Sequence, residues 1–503
     1  MLLRQVALPA LALVLSFSFA DRSASASPIV SNSIQDALSF NISGSNKYAK
    51  GDLDGAISDY NQAILLNPKL SKAYYNRGLA KYDQGSYDAA IADYNQAITL
   101  NPKYEDAYVN RGLAKDGKDD LDGALADDNI AIGLDPHDPY AYNNRGWVLY
   151  RKGDSDAAIA DYNIAIKLDV NLAQPYNDRG VAEHEKGDMT SALADYARAI
   201  QLDPDNDQAY FNRAVTLDDT DDLSGAITDY NQAIKINPKY TDAYVNRGEI
   251  KGEKEDWDGA IADYKQAIAI DPKNGTAYNE EGLAWYHKGE AKRAISSYTK
   301  AIEIDARNSS AYCNRANVKR ALGNLDGALS DYNMALQIDS KCDVAYNGRG
   351  IIEQARGDWA SAKADYDHSL KIEGNAVEVY SNISSLCEAQ GDLTGAITNA
   401  NRAITLNGGF AQAYNNRGVA EFRKGDLTAA LKDYDRALEL DPNDEHAYNN
   451  RGLALQSKGD YEGALTDYDL AIQINPKFSQ AQHNRAWAKW YQGDVMGALS
   501  DLF

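Results

Sequence analysis

Between Tyr87 and Leu100 the apolar side chains fall at Ala90, Ile91, Tyr94, Ala97 and Ile98, three and four residues apart with polar residues between them. On a helix this spacing makes one buried face, so the segment is predicted to be an amphipathic α-helix. The stretch before it, 72–84, is also long enough for a short helix. Gly85 stands in the turn between the two, and Pro102 follows the second as a stop signal. This pattern returns every 34 residues without an insertion, marked by the block Ala-Tyr-x-Asn-Arg-Gly at Ala73, Ala107, Ala141, Ala243, Ala413 and Ala447. Its aromatic keeps its place at Phe40, Tyr176, Tyr210, Tyr278, Tyr312, Tyr346 and Tyr380, and becomes Gln482 at the end. A fixed period of this size means one supersecondary unit stacked on copies of itself, an architecture whose use is a binding surface.

Columns 1 to 34 are numbered here from Ser71. Column 20 is Ala in all fourteen copies, from Ala56 to Ala498; column 24 is Tyr in eleven, and column 32 is Pro in eight. Small residues such as Gly78 and Ala90 allow two helices to approach, and Tyr74 and Tyr94 fill the remaining space. An aromatic at column 4, Gly at 8, Ala at 20, an aromatic at 24, Ala at 27 and Pro at 32 resemble the tetratricopeptide repeat. The sequence departs from that pattern at column 7, usually Arg, and at column 11, often Lys. The resemblance implies an all-α, right-handed superhelical solenoid of about 14 tandem helix-turn-helix repeats over residues 37–503, thirteen full repeats to 478 and a partial one at 479–503.

The N-terminus differs. Arg4 precedes an apolar run from Val6 to Ala20, and small residues Ser23 to Ala26 follow. Residues 1–26 read as a secretory signal cut after Ala26 or Ala20, with 27–36 a short lead, so the chain is expected to be exported, periplasmic or secreted. An uncleaved anchor is the alternative; Pro9 and the short run argue against it. The net charge is −23, spread through every repeat. It disfavours nucleic acid and anionic lipid and favours cationic partners.

Chemistry is sparse. The six histidines lie in different repeats with no paired ligand spacing, and there is no P-loop, G-x-S-x-G or dinucleotide fingerprint. The chain is therefore read as non-enzymatic, without cofactor or metal. Gly51–Gly55 and Asp120–Gly123 look like fragments of calcium loops, but they fall where an Asp caps the second helix. The cysteines are Cys313, Cys342 and Cys387; the first two share a repeat and are candidates for a disulfide. Column 7 Arg and column 23 Asp vary together: where Arg becomes Glu281 or Ile383, Asp becomes Ser297 or Asn399. That pattern predicts an ion pair inside each repeat. Repeats from about 275 to 410 lack the column 32 Pro, which predicts a softer segment.

The family resemblance implies that columns 2, 5, 6, 9 and 12 line a concave groove. Column 6 there holds Asn76, Asn110, Asn144, Asn212, Asn246, Asn314, Asn416 and Asn450. A carboxamide both donates and accepts, so a row of them suits the backbone of an extended peptide. It resembles the asparagine ladder of the repeat superhelix in protein O-linked N-acetylglucosamine transferase, of which only the ladder is present. Apolar residues at column 9, such as Leu79, Trp147 and Val419, offer a lane for hydrophobic side chains. The expected function is a scaffold of the cell envelope or secreted space that binds other proteins or extended peptides. The alternative is a structural spacer that self-associates through its ends.

Overall fold

In a computed structural model, the described residues are 28–502. They form twenty-eight α-helices, α1 (Pro28–Tyr48) to α28 (Val495–Leu502), and no strand. The helices alternate as first and second arms of hairpins, as in α3 (Ser71–Asp83) and α4 (Tyr87–Leu100), which match the expected segments to within one residue. The expected lead is helical from Pro28 onward and lengthens α1 to 21 residues. The expected signal segment, 1–26, lies outside the described residues, and among those residues no helix is long and apolar enough to cross a membrane. The chain divides into two compact units, the first ending at Ile250 and the second starting at Lys251. Each is an all-α repeat solenoid in which every hairpin packs on the next.

Inside a repeat the contact between arms is made by one glycine and one ring. A Cβ placed on Gly78 would stand 2.6 Å from Cε1 of Tyr94, and one on Gly452 would stand 2.7 Å from Cε1 of Tyr468. Only a residue without a Cβ admits the ring at this distance. The column 20 alanines are buried in every copy. Where column 8 carries a methyl group, as Ala214 and Ala316, the ring contacts column 6 of the following repeat: Tyr230 OH accepts from Asn246 Nδ2 at 3.2 Å, and Tyr332 lies against Gly348 while donating to Asn317 Oδ1 of its own repeat at 2.6 Å. Where column 24 loses its ring, as Ala400, column 8 becomes Ser384, whose hydroxyl donates to Ala396 O at 2.8 Å.

The turn between arms is left-handed at column 15. Gly85, Gly153 and Gly459 have φ of 75°, 84° and 90°. Three copies place a side chain there instead, Asp119 and Asp221 at φ 67° and Glu255 at φ 59°. The next residue caps the second arm: Asp52 Oδ1 accepts from Gly55 N at 2.9 Å and Asp120 Oδ1 from Gly123 N at 3.0 Å, so both calcium-like motifs serve as N-caps. Left-handed backbone costs a residue with a Cβ about 1–2 kcal/mol, of which the extra entropy of glycine returns a part. Glu255→Gly is therefore expected to stabilise the second unit by roughly 0.5–1 kcal/mol in denaturant titration. A loss of stability would contradict this account of the turn.

Candidate peptide-binding site

The groove columns sit on a frame of buried charge. Arg77 grips Asp93 with two parallel bonds, Nε to Oδ2 at 2.8 Å and Nη2 to Oδ1 at 2.6 Å, and Lys81 adds a third cation contact at 2.7 Å. The same fork recurs, for example from Arg145 to Asp161 and from Arg417 to Asp433. Where column 4 is aromatic the guanidinium also lies over its ring, as Arg77 over Tyr74 at 5.5 Å. The expected ion pair is present, and it has a part that the column pattern did not suggest. Arg77 Nη1 donates to Asn61 Oδ1 of the preceding repeat at 2.6 Å, and Arg111 does the same to Asn95 at 2.6 Å. The recurrence of Asn at column 25 was the available signal. Where the pair is missing, other contacts replace it: Ser297 Oγ donates to Glu281 Oε2 at 2.8 Å, and Ile383 is buried. In the first repeat Asp59 has Ser43 at 2.6 Å and Lys47 at 2.8 Å in place of arginine.

The column 6 asparagines are half-buried, apart from Asn76 and Asn144, which are buried. Most of them donate to column 5 of the preceding repeat. In the first unit Asn76 Nδ2 bonds Asn41 Oδ1 at 3.1 Å, Asn110 bonds Tyr75 OH at 3.2 Å, and Asn212 bonds Asn177 Oδ1 at 3.0 Å. Asn246 departs from this and bonds Tyr230, as described above. Beside Asn144, Asn143 Nδ2 donates to Asp178, a carboxyl standing at column 6 of the next repeat, which burial raises to about 6 against the pull of Asn143, Asn177 and Gln174. In the second unit Asn314 bonds Asn279 at 3.2 Å, Asn416 bonds Ser381 Oγ at 2.9 Å and Asn450 bonds Asn415 at 3.0 Å. Some carry a second bond, Asn110 Nδ2 to Asp106 O at 2.8 Å and Asn416 Nδ2 to Ser381 O at 3.0 Å, so that these amides are oriented by two contacts.

One cleft collects these columns in the second unit. It has a volume of about 520 Å³ and lies among α21 (Val377–Ala389), α23 (Ala411–Lys424) and α25 (Glu445–Lys458). Gln412, Asn415, Asn416, Val419 and Asn450 line it, from columns 2, 5, 6, 9 and 6, and Ser385 and Glu388 add columns 9 and 12. Its far rim is acidic, with Asp441, Asp444 and Glu445. Among the described residues, no group of three or more His, Cys, Asp or Glu side chains is arranged to hold a metal ion.

Repeat models of the TPR type match residues 44–85, 78–116, 180–218, 219–254, 250–289 and 418–459, and tetratricopeptide repeat models match 106–171, 309–342 and 446–478. The chain belongs to the tetratricopeptide repeat family. As a tetratricopeptide repeat array it is a scaffold for protein–protein interaction. No curated protein sequence matches it. Its structure is similar to the crystal structure of the APC/C hetero-tetramer Cut9-Hcn1, with 14% identity, a TM-score of 0.52, and alignment over 92% of this chain and 98% of the other. Yeast Tom70 aligns over 92% of this chain and 96% of its own at 16% identity and a TM-score of 0.36. YrrB, a TPR protein with an unusual peptide-binding site, aligns over 38% of this chain and 97% of its own at 28% identity and a TM-score of 0.29.

Column 11 of the tetratricopeptide repeats sets a pH dependence. Lys81 there adds a cation to Asp93, but Glu183, Glu353 and Glu421 take the same place beside Asp195, Asp365 and Asp433. Burial and then the neighbouring Asp push each of these carboxyls up to about 7, against the pull of the column 7 arginine. A carboxyl with a raised folded pKa contributes stability that is complete below its unfolded value, near 4.3, and is lost as pH rises through about 7. After screening at these partly exposed sites the loss is about 1 kcal/mol each. The melting temperature is therefore expected to fall between pH 5.5 and 8, and the triple variant Glu183→Gln, Glu353→Gln, Glu421→Gln is expected to flatten that slope. An unchanged slope in the variant would exclude these groups as its origin.

Proposed function

We propose that the protein is a non-enzymatic adaptor of the cell envelope or secreted space that holds extended peptide segments of partner proteins in its asparagine-lined groove. The observation that carries this reading is the cleft of the second unit. There, columns 2, 5, 6, 9 and 12 of successive repeats meet around Asn416 and Asn450, with Val419 as an apolar floor and an acidic rim. The amides are held in place by bonds to the neighbouring repeat, so they meet a ligand's backbone N–H and C=O with little loss of freedom. Asn314 belongs to the same row in the second unit, and Asn76, Asn110, Asn144, Asn212 and Asn246 offer the first unit a row of its own. The rim of Asp441, Asp444 and Glu445, together with the net charge of −23, selects segments carrying Lys or Arg. No cofactor enters this function.

The test is titration of the full chain with a library of extended, Lys-containing peptides. Asn416→Ala with Asn450→Ala is expected to weaken binding of the best peptide at least about tenfold, while circular dichroism shows the array folded. Equal affinity in both proteins would move binding to another face and leave the amides structural. A second reading, self-association, draws on the exposed Trp487, Trp490 and Met496 of α27 (Ser479–Tyr491) and α28. A sedimentation coefficient independent of concentration would remove it.

A further inference from the structure

One joint in the second unit lacks the amide bridge. On its N-terminal side Asn314 reaches back to Asn279, and on its C-terminal side Asn382 reaches back to Asn347 at 2.9 Å. Between repeats 309–342 and 343–376, column 5 is Cys313 and column 6 is Gly348, and neither side chain carries an amide. Gly348 has no room for one, because the ring of Tyr332 occupies the position of its Cβ. The joint also lacks the column 32 proline, which is Ser340 here.

A different pair stands at this place. Cys313 Sγ, buried on α17 (Ser309–Ala321), lies 3.1 Å from Cys342 Sγ. Cys342 is partly exposed and is the N-cap of α19 (Asp343–Ala355), with no side-chain cap bond of its own. The two thiols thus link the first arm of one repeat to the start of the first arm of the next. We propose that Cys313 and Cys342 form a reversible dithiol/disulfide pair that closes this joint covalently where both flanking joints carry an amide bridge. A disulfide places its sulfurs about 2.05 Å apart, so closure needs an approach of about 1 Å, within reach of side-chain rotation.

The oxidant is a low-molecular-weight disulfide such as glutathione disulfide. The thiolate of Cys342 attacks one sulfur of that disulfide, forms a mixed disulfide and releases one small thiolate, which takes up a proton. Cys313 then loses its proton to solvent and attacks the Cys342 sulfur. The Cys313–Cys342 bond forms and the second small thiol leaves. The protein gives up two protons and two electrons, and the small disulfide is reduced to two thiols. The order follows from position. The contact with Cys313 and the Ala345 N–H hold the Cys342 thiol below its ordinary range, while the contact with Cys342 and burial raise Cys313. Cys387 is an internal control, since it packs in a separate cluster with Tyr366 and Leu386.

The experiment equilibrates the full chain in glutathione redox buffers, traps thiols by alkylation and maps the peptides. Alkylatable thiols are expected to fall from three to one, leaving Cys387, with a cross-linked peptide joining Cys313 to Cys342 and full recovery on reduction with dithiothreitol. In Cys387→Ser they fall from two to none. Three reactive thiols at every poise, or a stable glutathione adduct on Cys342 with Cys313 still free, would overturn the proposal. Hydrogen exchange then tests the joint itself: amides at the start of α19 are expected to slow about tenfold or more on oxidation. Unchanged exchange despite the cross-link would overturn the claim that the bond closes the joint.

Discussion

Arg145→Ala is expected to destabilise the first unit by about 3–5 kcal/mol, the cost of leaving a buried charge without its partner. Asp161 is 5% exposed, and both its oxygens are held by this guanidinium, Nε to Oδ2 at 2.6 Å and Nη2 to Oδ1 at 2.7 Å. Column 11 is Leu149 in this repeat, so no lysine stands there to compensate as Lys81 does for Asp93. The substitution also releases Asn129, which accepts from Nη1 at 2.8 Å, and uncovers the ring of Tyr142. The repeat carrying Ile383 with Asn399 dispenses with both charges, and there Asn399 Nδ2 donates to Gly395 O at 2.8 Å. The double variant Arg145→Ile, Asp161→Asn is accordingly expected to recover most of the loss. Equilibrium denaturation of the three proteins decides the matter, and an unchanged midpoint for Arg145→Ala would end the claim that the pair holds the repeat together.

Asp128→Tyr should act in the opposite sense, raising stability by about 3 kcal/mol. Asp128 stands at column 24, where eleven other repeats place a buried tyrosine. Its side chain is 0% exposed and neither carboxyl oxygen has a hydrogen-bond partner. Burial, reinforced by Asp127, pushes its pKa well above the carboxylate range. Gly112 remains at column 8, and its Cβ position lies 2.7 Å from Asp128 Oδ1, where other copies present the edge of the ring. The tyrosine regains about 2–3 kcal/mol of apolar burial and removes an unpartnered polar group. Because the raised pKa of Asp128 favours folding only at low pH, the advantage of the variant should widen as pH rises. Hydrogen exchange in α5 (Glu105–Asp116) and α6 (Leu121–Leu134) is the measurement, and protection no better than in the parent would refute the argument.

Much of the repeat was legible because its determinants lie within one period. The spacing of Ala90, Tyr94 and Ala97 gave the helical face, Gly78 the close approach, and the joint variation of Arg and Asp the ion pair. What lay between repeats was harder to read. The third bond of Arg77 goes to Asn61, and the amide of Asn76 goes to Asn41, sixteen and thirty-five residues away; these pairings depend on how far one hairpin is displaced on the next. The asparagines read as ligand contacts are also structural contacts, since a polar side chain at a packed joint satisfies both demands with the same atoms. The helical extension of α1 back to Pro28 had no counterpart in other repeats against which to align it. The contacts of Tyr230 with Asn246 and of Tyr332 with Gly348, each in the following repeat, are likewise an effect of packing between repeats.

The reach of column 7 arginines such as Arg77, Arg111 and Arg145 to the repeat before them gives assembly a direction. Arg111 needs Asp127, which lies sixteen residues later in the chain, and Asn95, which lies sixteen residues earlier. A repeat leaving the ribosome therefore finds part of its charge network already in place on the hairpin synthesised just before it. The growing chain supplies its own template from the N-terminal side, and nascent repeats need not wait for the end of translation to settle into register.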